Sequence, residues 1–182
     1  MDSPHPLASH GYDTPEHSLD GWSGDARVVD IYDGDSVHVV LNETGRFVRV
    51  KCRLSGIDTC EIRSRRAANK ELAYAARDRL AALITGGSAD SFQGASRKAV
   101  RKVLADRPAI LRAQCGHADK YGRTLVKLFV RREDGASEGG EPDGAVSVGA
   151  TLVEDGLAYR YHGGKRLSES EQIRELSRGG EA

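Results

Sequence analysis

Residues 48–54 alternate without a break: Val48, Val50, Cys52 and Leu54 fall on one face, Arg49, Lys51 and Arg53 on the other. A period of two sends successive side chains to opposite sides of a strand, so one face enters a core and the other presents a cationic row. The neighbouring sequence supplies further strands. Val28–Tyr32 and Val37–Leu41 flank Asp33-Gly34-Asp35, a hairpin signal, and Asn42-Glu43-Thr44-Gly45 forms a second turn. Strands resume at 109–115 and 122–131, after Pro108 blocks any helix running into them. The spacing predicts a helix over 66–84, where Leu72, Ala76, Leu80, Leu83 and Ile84 form a stripe that Gly86-Gly87 ends. Shorter helices are expected at 96–105, around 150–155, and from the Ser168-x-x-Glu171 capping box to about Ser177. The expected class is therefore α+β, mainly β: a five-stranded barrel of the OB type with about three flanking α-helices.

The length of 182 residues suits one domain. Residues 1–24 lack periodicity and are expected to be a disordered acidic arm; 25–178 form the domain and 179–182 a flexible tail. The formal net charge is zero, which taken alone argues against a polyanionic partner. It is an average of unlike parts. Residues 1–25 hold five acids and no Lys or Arg, and residues 133–145 hold five acids in a Gly-rich loop. Residues 26–132 hold 22 bases against 11 acids. A basic body with acidic appendages remains compatible with nucleic acid. No apolar run reaches the length of a membrane span, and no secretory leader pattern is visible. Cys52, Cys60 and Cys115 cannot all pair within one chain and include no C-x-x-C, which argues against a disulfide scaffold or zinc module and slightly favours an intracellular setting.

Three segments carry chemistry. Asp33-Gly34-Asp35-Ser36 places two carboxylates at a tight turn, by itself an ordinary hairpin feature. Arg53-Leu54-Ser55-Gly56-Ile57-Asp58-Thr59-Cys60-Glu61 ends the basic strand face with an Asp and a Glu at the strand exit. Asp119-Lys120-Tyr121-Gly122-Arg123 is a turn with cations beside an aromatic. In this order, and with Leu152-Val153-Glu154-Asp155-Gly156-Leu157-Ala158 behind them, the chain from about Ala26 to Gly164 resembles the staphylococcal nuclease (thermonuclease) family.

That resemblance implies a calcium-dependent endonuclease acting on DNA and RNA, single-stranded or denatured by preference, as a monomer. The runner-up is a barrel that binds nucleic acid without cutting it. By resemblance, Asp35 and Asp58 supply carboxylates and Thr59 a backbone carbonyl to Ca²⁺, with Mg²⁺ or Mn²⁺ as substitutes, and Asp33 stands behind them. Calcium accepts such oxygen donors with tolerant geometry. Arg53 and Arg123 would grip the phosphate, because guanidinium forks match its oxygens. Glu61 would orient or deprotonate the attacking water. Lys120, Tyr121, Tyr159 and Tyr161 would contact the nucleotide. Two departures stand out: Cys60 replaces the family's proline, and Tyr159 and Tyr161 lie a few positions early, with His162 and Gly164 in the matching places. The basic face Arg97/Lys98/Arg101/Lys102 would extend a backbone-binding track.

Overall fold

The computed structural model describes residues 5–131 and 145–179. Five strands close a barrel: β1 (Ser23–Ile31), β2 (Ser36–Glu43), β3 (Arg46–Leu54), β5 (Ile110–Ala118) and β6 (Thr124–Arg131). They lie in the order β3-β2-β1-β5-β6 with antiparallel neighbours. A parallel pairing of β3 with β6, from Cys52–Thr124 to Leu54–Val126, shuts the ring. This is the OB-type barrel the strand pattern predicted. A short β7 (Ala145–Ser147) extends the β6 edge, and two-residue strands β4 (Ile57–Asp58) and β8 (Tyr159–Arg160) pair antiparallel at one end. None of the described helices is long and apolar enough to cross a membrane.

The alternation of β3 is realised as drawn: Cys52 and Leu54 are buried while Arg49 and Lys51 face solvent. Val28, Ile31, Val37, Val39, Leu41, Val126 and Leu128 fill the interior from the other strands. Burial of such side chains contributes roughly 1.5–3 kcal/mol each. The four α-helices are α1 (Ala67–Thr85), α2 (Arg97–Asp106), α3 (Val148–Glu154) and α4 (Glu169–Gly179), each at one of the four places the pattern predicted. Ala76, Leu80, Ala81 and Ile84 turn α1 onto the core, and Gly86 ends it at φ 67, a left-handed cap that glycine adopts without strain. The capping box also forms: the Ser168 N–H donates to Glu171 Oε2 at 2.7 Å and the Glu171 N–H to Ser168 Oγ at 3.4 Å.

The N-terminal boundary differs from expectation. Leu19 is 6% exposed and joins the core, Trp22 packs on it and donates from Nε1 to the Asn42 carbonyl at 3.2 Å, and β1 begins at Ser23. Two apolar anchors thus tie down residues that composition alone assigned to a disordered arm. The acidic loop 133–145 falls outside the described residues save Ala145, as do residues 1–4 and 180–182. All three cysteines are free and buried. Burial pushes the Cys52 thiol up to about 12 and the Cys115 thiol to about 11, as expected of inert core thiols.

Candidate active site

The site gathers at the end of the barrel where the β1–β2 turn meets the β3 exit. Tyr32 N–H donates to Ser36 O at 2.9 Å, closing the turn, and Leu54 N–H donates to Asp35 O at 2.7 Å, joining it to β3. Gly34 makes the approach feasible. A Cβ there would stand 2.6 Å from Ala76 Cβ and 2.9 Å from Thr59 Cγ2, so any side chain would push the turn away from both α1 and the Thr59 segment. Gly56, at φ 80, bends the chain out of β3 into β4, whose Asp58 lies opposite Tyr159 of β8.

Arg53, at the end of β3, joins the first two motifs. Its Nη2 lies 2.6 Å from Asp58 Oδ1 and 3.0 Å from Asp35 Oδ2, and the side chain is 11% exposed. Arg123 arrives from the third motif. Asp119 fixes that turn by accepting the N–H groups of Tyr121 and Arg123, each at 2.9 Å, and also takes the Arg123 guanidinium at 2.7 Å. The free side of Arg123 donates from Nη1 to Ser36 Oγ at 3.1 Å. Arg53, Arg123, Glu61 and Asp35 line one open cavity of about 640 Å³. A neighbouring cavity of about 780 Å³ shares both arginines and Tyr121 and adds Lys120 and Tyr161. Tyr121 is 73% exposed, with its ring 5.1 Å from Lys120 Nζ.

Tyr159 requires correction. It is 5% exposed, packs with Cys60, Ala73 and Leu176, and its hydroxyl donates to Asp58 Oδ2. A ring so enclosed is closed to a nucleobase; it orients Asp58 instead. Burial raises the hydroxyl's pKa, and the adjacent Asp58 carboxylate adds to the rise.

Arg166 is the residue that pattern reading missed. Its Nε and Nη2 donate to Asp58 Oδ2 and Oδ1, both at 2.7 Å, Nη2 reaches the Thr59 carbonyl at 3.3 Å, and Nη1 donates to the Glu61 carboxylate. One guanidinium therefore contacts all three groups assigned to cation or base in the second motif. It lies two residues past the stretch that carried the resemblance, in a loop with no periodicity. The signal available was a Lys-Arg pair one residue ahead of the capping box.

The family's sequence profile, described as staphylococcal nuclease homologue, matches residues 51–180. The chain belongs to the staphylococcal nuclease homologue family. No curated protein sequence matches it closely enough to count as a relative. The matched stretch holds Arg53, Asp58, Thr59, Glu61, Arg123 and Arg166, while the Asp33–Ser36 turn precedes it and is joined to it by the contacts of Gly34, Asp35 and Ser36.

The donor set of the chain bears on a cation. Asp35 Oδ2 is buried and accepts no hydrogen bond, its contact with Arg53 being ionic. Two carboxylates and a carbonyl are hard oxygen donors of the sort Ca²⁺ takes, so their chemistry fits. Among the described residues no three carboxylates, imidazoles or thiolates converge on one point. Asp58 and the Thr59 carbonyl are held by Arg166. The fit holds only with that guanidinium withdrawn.

Proposed function

We propose that the chain hydrolyses phosphodiester bonds of single-stranded or denatured DNA and RNA, assisted by a divalent cation, Ca²⁺ or in its place Mg²⁺ or Mn²⁺. What supports this reading most is the convergence of Arg53, Arg123 and Glu61 on one open cavity above two buried carboxylates. Arg53 and Arg123 would hold the non-bridging oxygens of a phosphate by charge-assisted hydrogen bonds, and these strengthen as negative charge builds in the transition state. Asp119 and Asp35 hold the two guanidinium groups in place, which reduces the reorganisation needed. Glu61, released from Arg166, would orient a water and accept its proton as the water oxygen bonds to phosphorus. The bond to the 5′ oxygen breaks, that oxygen takes up a proton, and the products are a 3′-phosphate and a 5′-hydroxyl. The cation, held by Asp35, Asp58 and the Thr59 carbonyl, would supply Lewis-acid polarisation of a phosphate oxygen.

The test is cleavage of denatured DNA across Ca²⁺, Mg²⁺, Mn²⁺ and EDTA. Cleavage with a divalent cation and none in EDTA is expected. Glu61→Gln and Arg53→Ala should each lower the rate about 10²-fold or more. Intact substrate under every metal removes the enzyme reading. The grip of Arg166 on Asp58, Thr59 and Glu61 favours a second reading in that event, a barrel that binds the strand without cutting it, which gel-shift of the same substrate would reveal.

A further inference from the structure

The segment between α1 and β5 builds a wall beside the phosphate cavity. Arg77 of α1, only 3% exposed, pairs through Nε and Nη2 with Asp78 Oδ1 at 2.8 and 2.6 Å and donates from Nη2 to the Ala95 carbonyl at 2.9 Å. That bond pins the chain just ahead of α2. Ser96 then caps α2, its Oγ accepting the Ala99 N–H at 3.2 Å, so Arg97 falls in the first turn. Arg97 forks onto the buried Asp30, with Nε 3.0 Å from Oδ1 and Nη2 2.5 Å from Oδ2, and its guanidinium stands 5.0 Å from the Tyr32 ring centre. Arg63 stands 5.9 Å from the same ring.

Between this wall and α1 lies a cavity of about 850 Å³, lined by Tyr32, Ile62, Tyr74, Ala75, Gln93 and Arg97 among others. Tyr32 and Arg97 also line the phosphate cavity, so the two spaces meet at that pair. We propose that the larger cavity is a second nucleobase subsite. It takes the base of a nucleotide next to the one whose phosphate lies under Arg53 and Arg123, with the strand passing over Tyr32 and Arg97. This rests on the strand-binding part of the proposed function.

The chemistry of the lining matches that occupant. Tyr32 and the 37%-exposed Tyr74 bring two rings to the cavity, each with a guanidinium beside it (Arg97 at Tyr32, Arg77 4.8 Å from the Tyr74 ring centre), and aromatic rings flanked by arginine are a recurring platform for unpaired strands. Gln93 carries a donor and an acceptor suited to a base edge. Arg97 and Arg63 supply positive charge where the intervening phosphate crosses. A base inside a duplex cannot leave its stack to enter without unpairing, so the subsite selects single strands. It lies apart from the Lys120, Tyr121 and Tyr161 side of the site, with which its lining has no residue in common.

Binding of labelled single-stranded oligonucleotides to the full chain at low salt, read by anisotropy, tests this. It is run in EDTA, and again in Ca²⁺ in the Glu61→Gln background, so that the ligand stays intact. Tyr74→Ala and Ala75→Trp, the second filling the cavity from an exposed position, should weaken a hexanucleotide about tenfold or more and leave a mononucleotide unchanged, while Tyr74→Phe keeps wild-type affinity. Equal hexanucleotide affinity in wild type and both cavity variants overturns the subsite while leaving strand binding intact. No binding of the hexanucleotide to the unaltered cavity, in either condition, overturns strand binding and the subsite with it.

Discussion

The turn that carries Asp35 and the two-residue strand that carries Asp58 each bury a carboxylate, and both carboxylates face the same Arg53 guanidinium. Their surroundings nonetheless act in opposite directions. Asp35 is 3% exposed; burial pushes its pKa well up, Asp33 adds to that, and Arg53 and the Ser36 hydroxyl offset only part. Asp58 is fully buried, and burial again works against its charge. There, hydrogen bonds from Arg166, Tyr159 and Arg53 outweigh it and hold the carboxyl below the usual carboxylate range. Burial is common to both. The donors decide the outcome: Asp58 has a partner for every lone-pair direction, while Asp35 keeps a buried oxygen with no hydrogen bond. One arm of the site is satisfied by the chain itself, and the other is poised for a positive charge from outside.

Asp58→Asn is the sharpest way to break this contrast. It removes the anion that Arg53 and Arg166 share, so unfolding in urea at pH 7 should show a loss of about 3–5 kcal/mol, the scale for breaking a buried ion pair from one side. Asp35→Asn at the same pH should not lower stability, because the folded state already disfavours the charged form. A loss below about 1 kcal/mol for Asp58→Asn would mean that the Arg166 fork is held by Glu61 rather than by Asp58.

Arg166→Ala probes the same contrast through the cation. With the guanidinium gone, Asp58 and the Thr59 carbonyl become open oxygen donors beside Asp35. Affinity for Ca²⁺, or for Tb³⁺ followed by luminescence, should rise about tenfold, and added Ca²⁺ should raise the midpoint of thermal unfolding more in the variant than in the wild type. Unchanged affinity would place the cation elsewhere, and weaker affinity would make Arg166 a support of the site rather than a competitor within it.

Much of this was legible in the sequence, for definite reasons. Period-two segments became β1, β2, β3, β5 and β6 within a few residues at each end, and the α1 stripe became a buried face, because both signals are local. The parallel closure of β3 on β6 left no local mark, since it joins residues some seventy positions apart. Arg53, Glu61 and Arg123 share a cavity as their motifs implied, because each motif ends a strand at the same rim of the barrel. Tyr159 and Arg166 were not legible. The first depends on a two-residue strand pairing with β4, the second on a loop side chain reaching more than a hundred residues back. Arg77 and Asp78 were hidden likewise, two charges on which the apolar stripe of the helix is silent but that pair in a buried contact and anchor the α2 wall.

The smallest expected effect separates the two carboxylates by pH alone. A carboxyl held low in the folded state, as Asp58 is, contributes stability that is present above the unfolded value, about 3.9, and is lost as pH falls through the lower folded value. A carboxyl held high, as Asp35 is, has the reverse linkage: its neutral form stabilises the fold below about pH 3.9, and that contribution is lost as pH rises toward the folded value. The deficit of Asp58→Asn against wild type should therefore shrink on acidification below pH about 4. Any advantage of Asp35→Asn should instead grow as pH rises above about 4 and level off once the pH has passed the raised folded value. Urea midpoints at half-unit steps from pH 3 to 7 measure both. Parallel curves for the two variants would mean that the carboxylates share one environment. Opposite slopes would locate the unsatisfied charge at the β1–β2 turn, and adding Ca²⁺ should then flatten the Asp35 curve by favouring its ionised form, leaving the Asp58 curve less altered while Arg166 keeps its hold.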